Sequence, residues 1–250
     1  MTVIEHLTEL RRRLVISLAT FVGVSVVAFL FFEPITDFLL RPLCALPADR
    51  LGPQGCRLVF TGPLEPFLVR LKVTALVGLV GASPIWLYQL WAFVAPGLTA
   101  KEKRYAVPFV VTSVALFLVG AAIAYLSLKL GLKFLLALGG ENFVPFLRAD
   151  SYLTFLALVL LGFGVTFELP LLLFFLGLAG IVSVEQLRRQ RKIAFVGAFA
   201  IAAVVTPTQD PYTMTGMAVP LYALYEVVIG LLSLRARRAS RRAQKAGRAA

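Results

Sequence analysis

Apolar residues in this chain come in long unbroken blocks. Leu14–Phe32 runs nineteen residues without a charge, and Val73–Ala100 and Tyr105–Leu128 are longer. A span needs about 20 mostly apolar residues to cross roughly 30 Å of hydrocarbon, where a helix satisfies its own backbone hydrogen bonds. Six such spans are predicted, at about 14–32, 69–93, 105–128, 152–182, 193–205 and 214–234. The fold class is therefore all-α, a polytopic membrane protein with six transmembrane helices. The fifth span has thirteen residues. It covers only about 20 Å as helix, so it must thin the bilayer or lean on a partner. The second ends in Tyr88, Trp91 and Phe93, an aromatic belt of the interfacial kind.

The segments between the spans carry their own signals. Ile4, Leu7, Leu10 and Leu14 recur at helical spacing, so residues 1–13 are expected to form an amphipathic helix lying on the bilayer. The first apolar block exceeds the 7–15 residues of a secretory core and runs into Phe31-Phe32-Glu33-Pro34, so it is expected to be retained. The loop 33–68 holds six prolines and is expected to be irregular; Pro84, Pro108, Pro170 and Pro220 are expected to kink their helices. Residues 235–250 are expected to form a disordered basic tail.

Composition agrees with the pattern: 59% of the 250 residues are hydrophobic, 15% are charged and mean hydropathy is +0.86. The net charge of +12 raises nucleic acid as a partner, but seven of the basic residues lie in the last sixteen positions with no aromatic ring among them. Such a tail has no stacking platform for bases; it reads as a topology signal and a contact for membrane lipids with anionic headgroups. Alternate loops carry seventeen and eight basic residues. The richer side, which includes both termini, is expected to be cytoplasmic. One histidine and two cysteines are too few for a usual zinc set, and neither a phosphate-binding loop nor a nucleophile elbow is present. No enzyme activity, cofactor or metal is expected.

Glu168 is the most unusual residue, a carboxyl inside the fourth span. An intramembrane acid is costly and marks function by default. Pro170 has no N–H for the Thr166 carbonyl, so a carboxyl, the Thr166 hydroxyl and a free carbonyl are expected near one depth, with Gly162 and Gly164 allowing close approach. The functional reading is a polar cavity that receives a substrate segment; the plainer one is a protonated Glu168 bonded to a neighbouring helix. Glu226 either pairs with Arg235, Arg237 or another basic group, or has a role of its own. Three capping boxes start at Thr2, Thr99 and Ser183, and the second gives Glu102 a structural explanation. Glu9 has one too, with Arg12 and Arg13 three and four residues on. Cys44 and Cys56 share the proline-rich outer loop, where either a disulfide or two free thiols is open.

Taken in order, His6-Leu7-Thr8-Glu9-Leu10-Arg11, the run from Ser83 through Phe93 to Pro96, Lys101-Glu102-Lys103-Arg104, the run Phe163 to Pro170, and Gly197 through Thr206 resemble the TatC family, the core subunit of the twin-arginine protein translocase. The resemblance covers about residues 4–232. It implies a receptor for the twin-arginine signal peptides of folded export substrates in the bacterial inner membrane. It also implies single-span TatA- and TatB-type partners, a homo-oligomer within the receptor complex, and transport driven by the proton gradient. The family's acids matching Glu9 and Glu102 bind the arginine pair, with Arg11 and Phe93 beside them, and the acid matching Glu168 lies in the concave membrane face. Thr206, Met214 and Glu226 are the expected partner contacts, although Met214 stands where relatives often have Gln. A small-molecule carrier is the rival class; carriers commonly show paired repeats, and no repeat is visible here.

Overall fold

The structure, a computed structural model, describes residues 3–47, 51, 55–94, 106–139, 145–206 and 210–247. Its elements are α1 (Val3–Leu30), α2 (Phe32–Cys44), α3 (Glu65–Gly81), α4 (Ser83–Val94), α5 (Ala106–Leu138), α6 (Ala149–Thr166), α7 (Leu169–Leu178), α8 (Val184–Arg189), α9 (Arg191–Val205) and α10 (Pro211–Gly247). Among the described residues no strand forms; the one extended pairing is a bridge between Val59 and Arg148.

Six crossings account for all of these helices except α2 and α8. α1, α5 and α10 are each long and apolar enough to span alone, and α6 with α7 make a fourth apolar run. α3 and α4 form a fifth, bent by 54° at Ala82. Pro84 lies in the first turn of α4, where it cannot continue the ladder of α3, and the Trp86 indole donates across the bend to the Leu79 carbonyl (3.0 Å). The sixth crossing, α9, has fifteen residues, about 23 Å of helix. Pro170 acts on the α6–α7 crossing as Pro84 does on the α3–α4 crossing: α6 stops at Thr166 and α7 begins at Leu169, leaving Glu168 at the joint.

Four expectations change. The amphipathic stretch is no separate helix; nothing between Val3 and Leu30 breaks the backbone ladder, so α1 is continuous and about 42 Å long. The proline-rich loop contains a helix, α2, because Pro34 falls in its first turn, where a missing N–H does little harm, and the Phe38 carbonyl that Pro42 cannot serve accepts from the Tyr125 hydroxyl instead. Pro108 likewise sits harmlessly in the first turn of α5. The basic tail is helical as far as Gly247, since its Arg, Ala, Gln and Lys residues are strong helix formers and extend α10.

α5 stands at the centre, against α2, α4, α6 and α10, while α1 packs on α3 and α4 at the edge and leaves much of its apolar surface outward. Small residues let α5 and α6 meet closely. A Cβ on Gly120 would stand 2.8 Å from the Phe163 carbonyl oxygen, and one on Gly164 would stand 2.7 Å from the Phe117 ring. Phe117, Phe163 and Phe167 are fully buried between these helices.

The end opposite the N-terminus is tied together by polar contacts. Cys44 and Cys56 are bonded, with Leu46 and Leu51 buried between them. Glu65 Oε2 accepts the Thr61 N–H (2.6 Å), the Thr61 hydroxyl (2.9 Å) and the Gly62 N–H (3.3 Å), and Arg148 lies 3.7 Å from its other oxygen. The hydroxyls of Tyr125 and Tyr152 donate to the Phe38 and Leu39 carbonyls of α2 (2.7 and 3.0 Å), and Lys72 pairs with Asp150.

Candidate functional site

α4 carries two polar sites on different faces. Gln89 and Phe93, one helical turn apart, face α1; Trp91 faces α5. The bend at Ala82 aims this short helix, so a single proline-bounded segment positions both.

On the α1 side, Glu9 Oε1 accepts two donors from Arg13, Nε at 3.0 Å and Nη2 at 2.5 Å. Arg13 Nη1 donates to Gln89 Oε1 at 3.2 Å, and the His6 ring stacks on Phe93 with centroids 4.4 Å apart. Glu9 Oε2 is buried and has no hydrogen-bond partner among the described residues. Sequence spacing finds the Arg13 pair; Gln89 lies 76 positions away and emerges only from the fold. Arg11 is exposed on the same helix. Glu102 and the boxes at Thr2 and Thr99 lie outside the described residues.

On the α5 side, the Trp91 indole donates to Ser113 Oγ (2.9 Å), and Ser113 donates to Glu168 Oε2 (2.6 Å). The direction is forced, because indole nitrogen is only a donor and the serine proton is then left for the carboxyl. Glu168 Oε1 is buried without a hydrogen-bond partner among the described residues, so it is the oxygen available to a donor. Phe109, Leu171 and Phe175 pack around the indole. Sequence reading placed Thr166 at this carboxyl. Thr166 is buried two residues earlier, and the hydroxyl that meets Glu168 is Ser113 of α5. Ser113 was missed because a serine in an apolar block gives no signal until a partner helix is placed beside it. Beside this site an apolar groove of about 470 Å³ runs between α5, α7 and α10, with Pro170 and Leu171 on its wall and Arg235 at its end.

The remaining candidates stand apart. Glu226 pairs with Arg191 of α9 (2.7 Å) and accepts from the Tyr222 hydroxyl (3.0 Å); among the basic groups expected to pair with it, Arg191 is brought near because α9 packs along α10. The Ser183 box closes both of its bonds with Gln186 (2.8 and 3.2 Å). Thr206 is buried at the end of α9, its hydroxyl donating to the Ala202 carbonyl (2.7 Å), and Met214 packs partly buried against the main core.

Six helical crossings, with one buried unpartnered carboxyl oxygen at the end of the first and another at the joint of the fourth among the described residues, define a multi-pass membrane protein. The family model described as Sec-independent protein translocase protein (TatC) matches residues 5–220. Proteins named Sec-independent protein translocase protein TatC are 45% identical in Frankia casuarinae, over 97% of this chain and 68% of that protein, and 36% identical in Corynebacterium kroppenstedtii, over 96% and 63%. One from Aquifex aeolicus is 39% identical over 95% of this chain and 97% of its own length. A crystal structure of the twin arginine translocase receptor TatC in DDM superposes with a TM-score of 0.75 at 39% identity, covering 90% of this chain and 98% of that one. The chain belongs to the TatC family of protein-transport membrane proteins.

Proposed function

We propose that this chain is the receptor core of a twin-arginine translocase in a bacterial inner membrane, with both termini cytoplasmic. The observation that carries the reading is Glu9, a carboxylate at the N-terminal end of the first crossing whose Oε2 is buried and bare. A peptide arginine offers planar paired donors to such a group, by charge-assisted hydrogen bonds that a neutral side chain cannot match. Glu102 is the second acid proposed for the arginine pair, with Phe93 and Arg11 flanking. The excess of basic residues on that side repels a free cationic peptide, so selection rests on local acids. Glu168 is proposed as the intramembrane polar contact for the apolar part of the peptide. Thr206, Met214 and Glu226 are proposed to face TatA- and TatB-type single-span partners. The receptor is proposed to act as a homo-oligomer, with the proton gradient driving transport of folded substrates.

A pull-down with an immobilised twin-arginine peptide tests the reading. A charge-assisted hydrogen bond contributes about 1.5–3 kcal/mol, so the double variant Glu9→Gln, Glu102→Gln should bind at least about tenfold more weakly. Undiminished binding would remove both acids from the site. Glu102→Gln alone separates binding from capping, because Gln completes a capping box almost as well as Glu.

A further inference from the structure

Glu9 is already occupied by a guanidinium that belongs to the protein. Both Arg13 donors fall on Oε1, rather than one on each oxygen as in the paired fork that arginine and carboxylate prefer. Oε2 is left bare among the described residues. The side chains of Glu9 and Arg13 are only 22% and 21% exposed, so water does little to screen the pair or to satisfy the empty oxygen. The third Arg13 contact, to Gln89 on α4, gives the same guanidinium a second foothold.

We propose that Arg13 is a resident competitor for the signal peptide: it holds Glu9 in the resting protein, and a peptide arginine binds by taking the carboxylate in fork geometry while Arg13 withdraws to Gln89. This rests on the reading that Glu9 meets the peptide's arginine. A pair four residues apart on one helix is among the weaker ion pairs, so exchange for a fork on both oxygens is downhill. Two guanidinium groups at one carboxylate repel, so the exchange is a displacement rather than an addition. The competitor also sets a threshold. Lysine presents a point charge without a planar fork, so it gains less from Oε2 and displaces Arg13 poorly. Preference for arginine over lysine is thereby raised by a residue that need not touch the peptide.

The test uses the full-length detergent-purified protein and two labelled peptides, identical except for Arg-Arg or Lys-Lys, with fluorescence anisotropy as readout. Arg13→Gln should bind the Arg-Arg peptide roughly two- to five-fold more tightly, the range set by one ion pair of this kind. It should also narrow the ratio between the two peptides. In a Glu9→Gln background the same substitution should change nothing, because the carboxylate it competes for is gone. A structural role for Arg13 would shift thermal unfolding without moving the peptide ratio. Equal or weaker Arg-Arg binding by Arg13→Gln, with Glu9→Gln alone still weakening it, would overturn the competitor and leave Glu9 as the site. Binding indifferent to Glu9→Gln would overturn the competitor together with the assignment of Glu9.

Discussion

At the scale of single residues, Ser113 decides how Glu168 is held. It is the only group among the described residues that hydrogen-bonds the carboxyl, and it does so while accepting from Trp91. Ser113→Ala removes both bonds and leaves an indole N–H and a carboxyl oxygen buried without partners, each costing about 1–3 kcal/mol. We expect a lower Tm in detergent. Glu168→Ala should behave differently. It deletes the costly group itself, so folding is retained while export falls, and Glu168→Gln should be milder because it keeps a hydrogen-bonding group at the same depth. Equal export by wild type and Glu168→Ala at matched protein level would reduce Glu168 to a structural hydrogen bond.

At the scale of elements, prolines and cysteines set where helices begin and how the outer end is held. Pro84 and Pro170 each fall just past a helix end, and each break serves a polar site: one aims α4, the other places Glu168 at a joint. The Cys44–Cys56 bond joins the end of α2 to the approach to the Val59–Arg148 bridge across a separation of 12. Closing a loop of that size contributes about 3 kcal/mol in the chain-entropy model. We expect no alkylatable thiol in native protein without reductant, and a Tm several degrees lower for Cys44→Ser, Cys56→Ser. The Glu168 and Glu9 sites, tied to α4 rather than to this loop, should keep their peptide binding in that variant at temperatures where it is folded. Two reactive thiols in the native sample would remove the bond from the argument.

At the scale of the whole molecule, six crossings bring the start of α1, the end of α4, the start of α5, α8 and the end of α10 to one side. In the sequence, the ends and loops assigned to that side carry seventeen basic residues against eight for the other. In the proposed topology that side faces the cytoplasm, as the excess of basic residues favours. The bonded cysteines do not react with maleimide, so labelling needs no cysteine-free background. In intact cells an impermeant maleimide should modify Arg57→Cys, exposed in the disulfide-bearing loop, and should miss Glu185→Cys, exposed on α8, until the membrane is opened. The reverse pattern would invert the topology.

Much of this architecture is legible in the order of residues alone. Unbroken apolar runs fix the number of crossings, because a bilayer leaves a backbone few ways to satisfy its hydrogen bonds. The count of basic residues gives their expected orientation, and Glu168 stands out as an acid where none is cheap. The Glu9–Arg13 pair is equally local, four positions along one helix. What only the tertiary structure decided is which distant groups meet these acids. Ser113 and Glu168 are 55 positions apart, Arg13 and Gln89 are 76, and Arg191 and Glu226 are 35. Spacing along one helix says which residues share its face, but not which neighbouring helix covers that face or at what height. That is settled by Gly120 and Gly164 letting α5 sink onto α6, by the 54° bend aiming α4, and by α9 lying along α10. The sites themselves are assembled by close packing between helices, and packing has no one-dimensional signature.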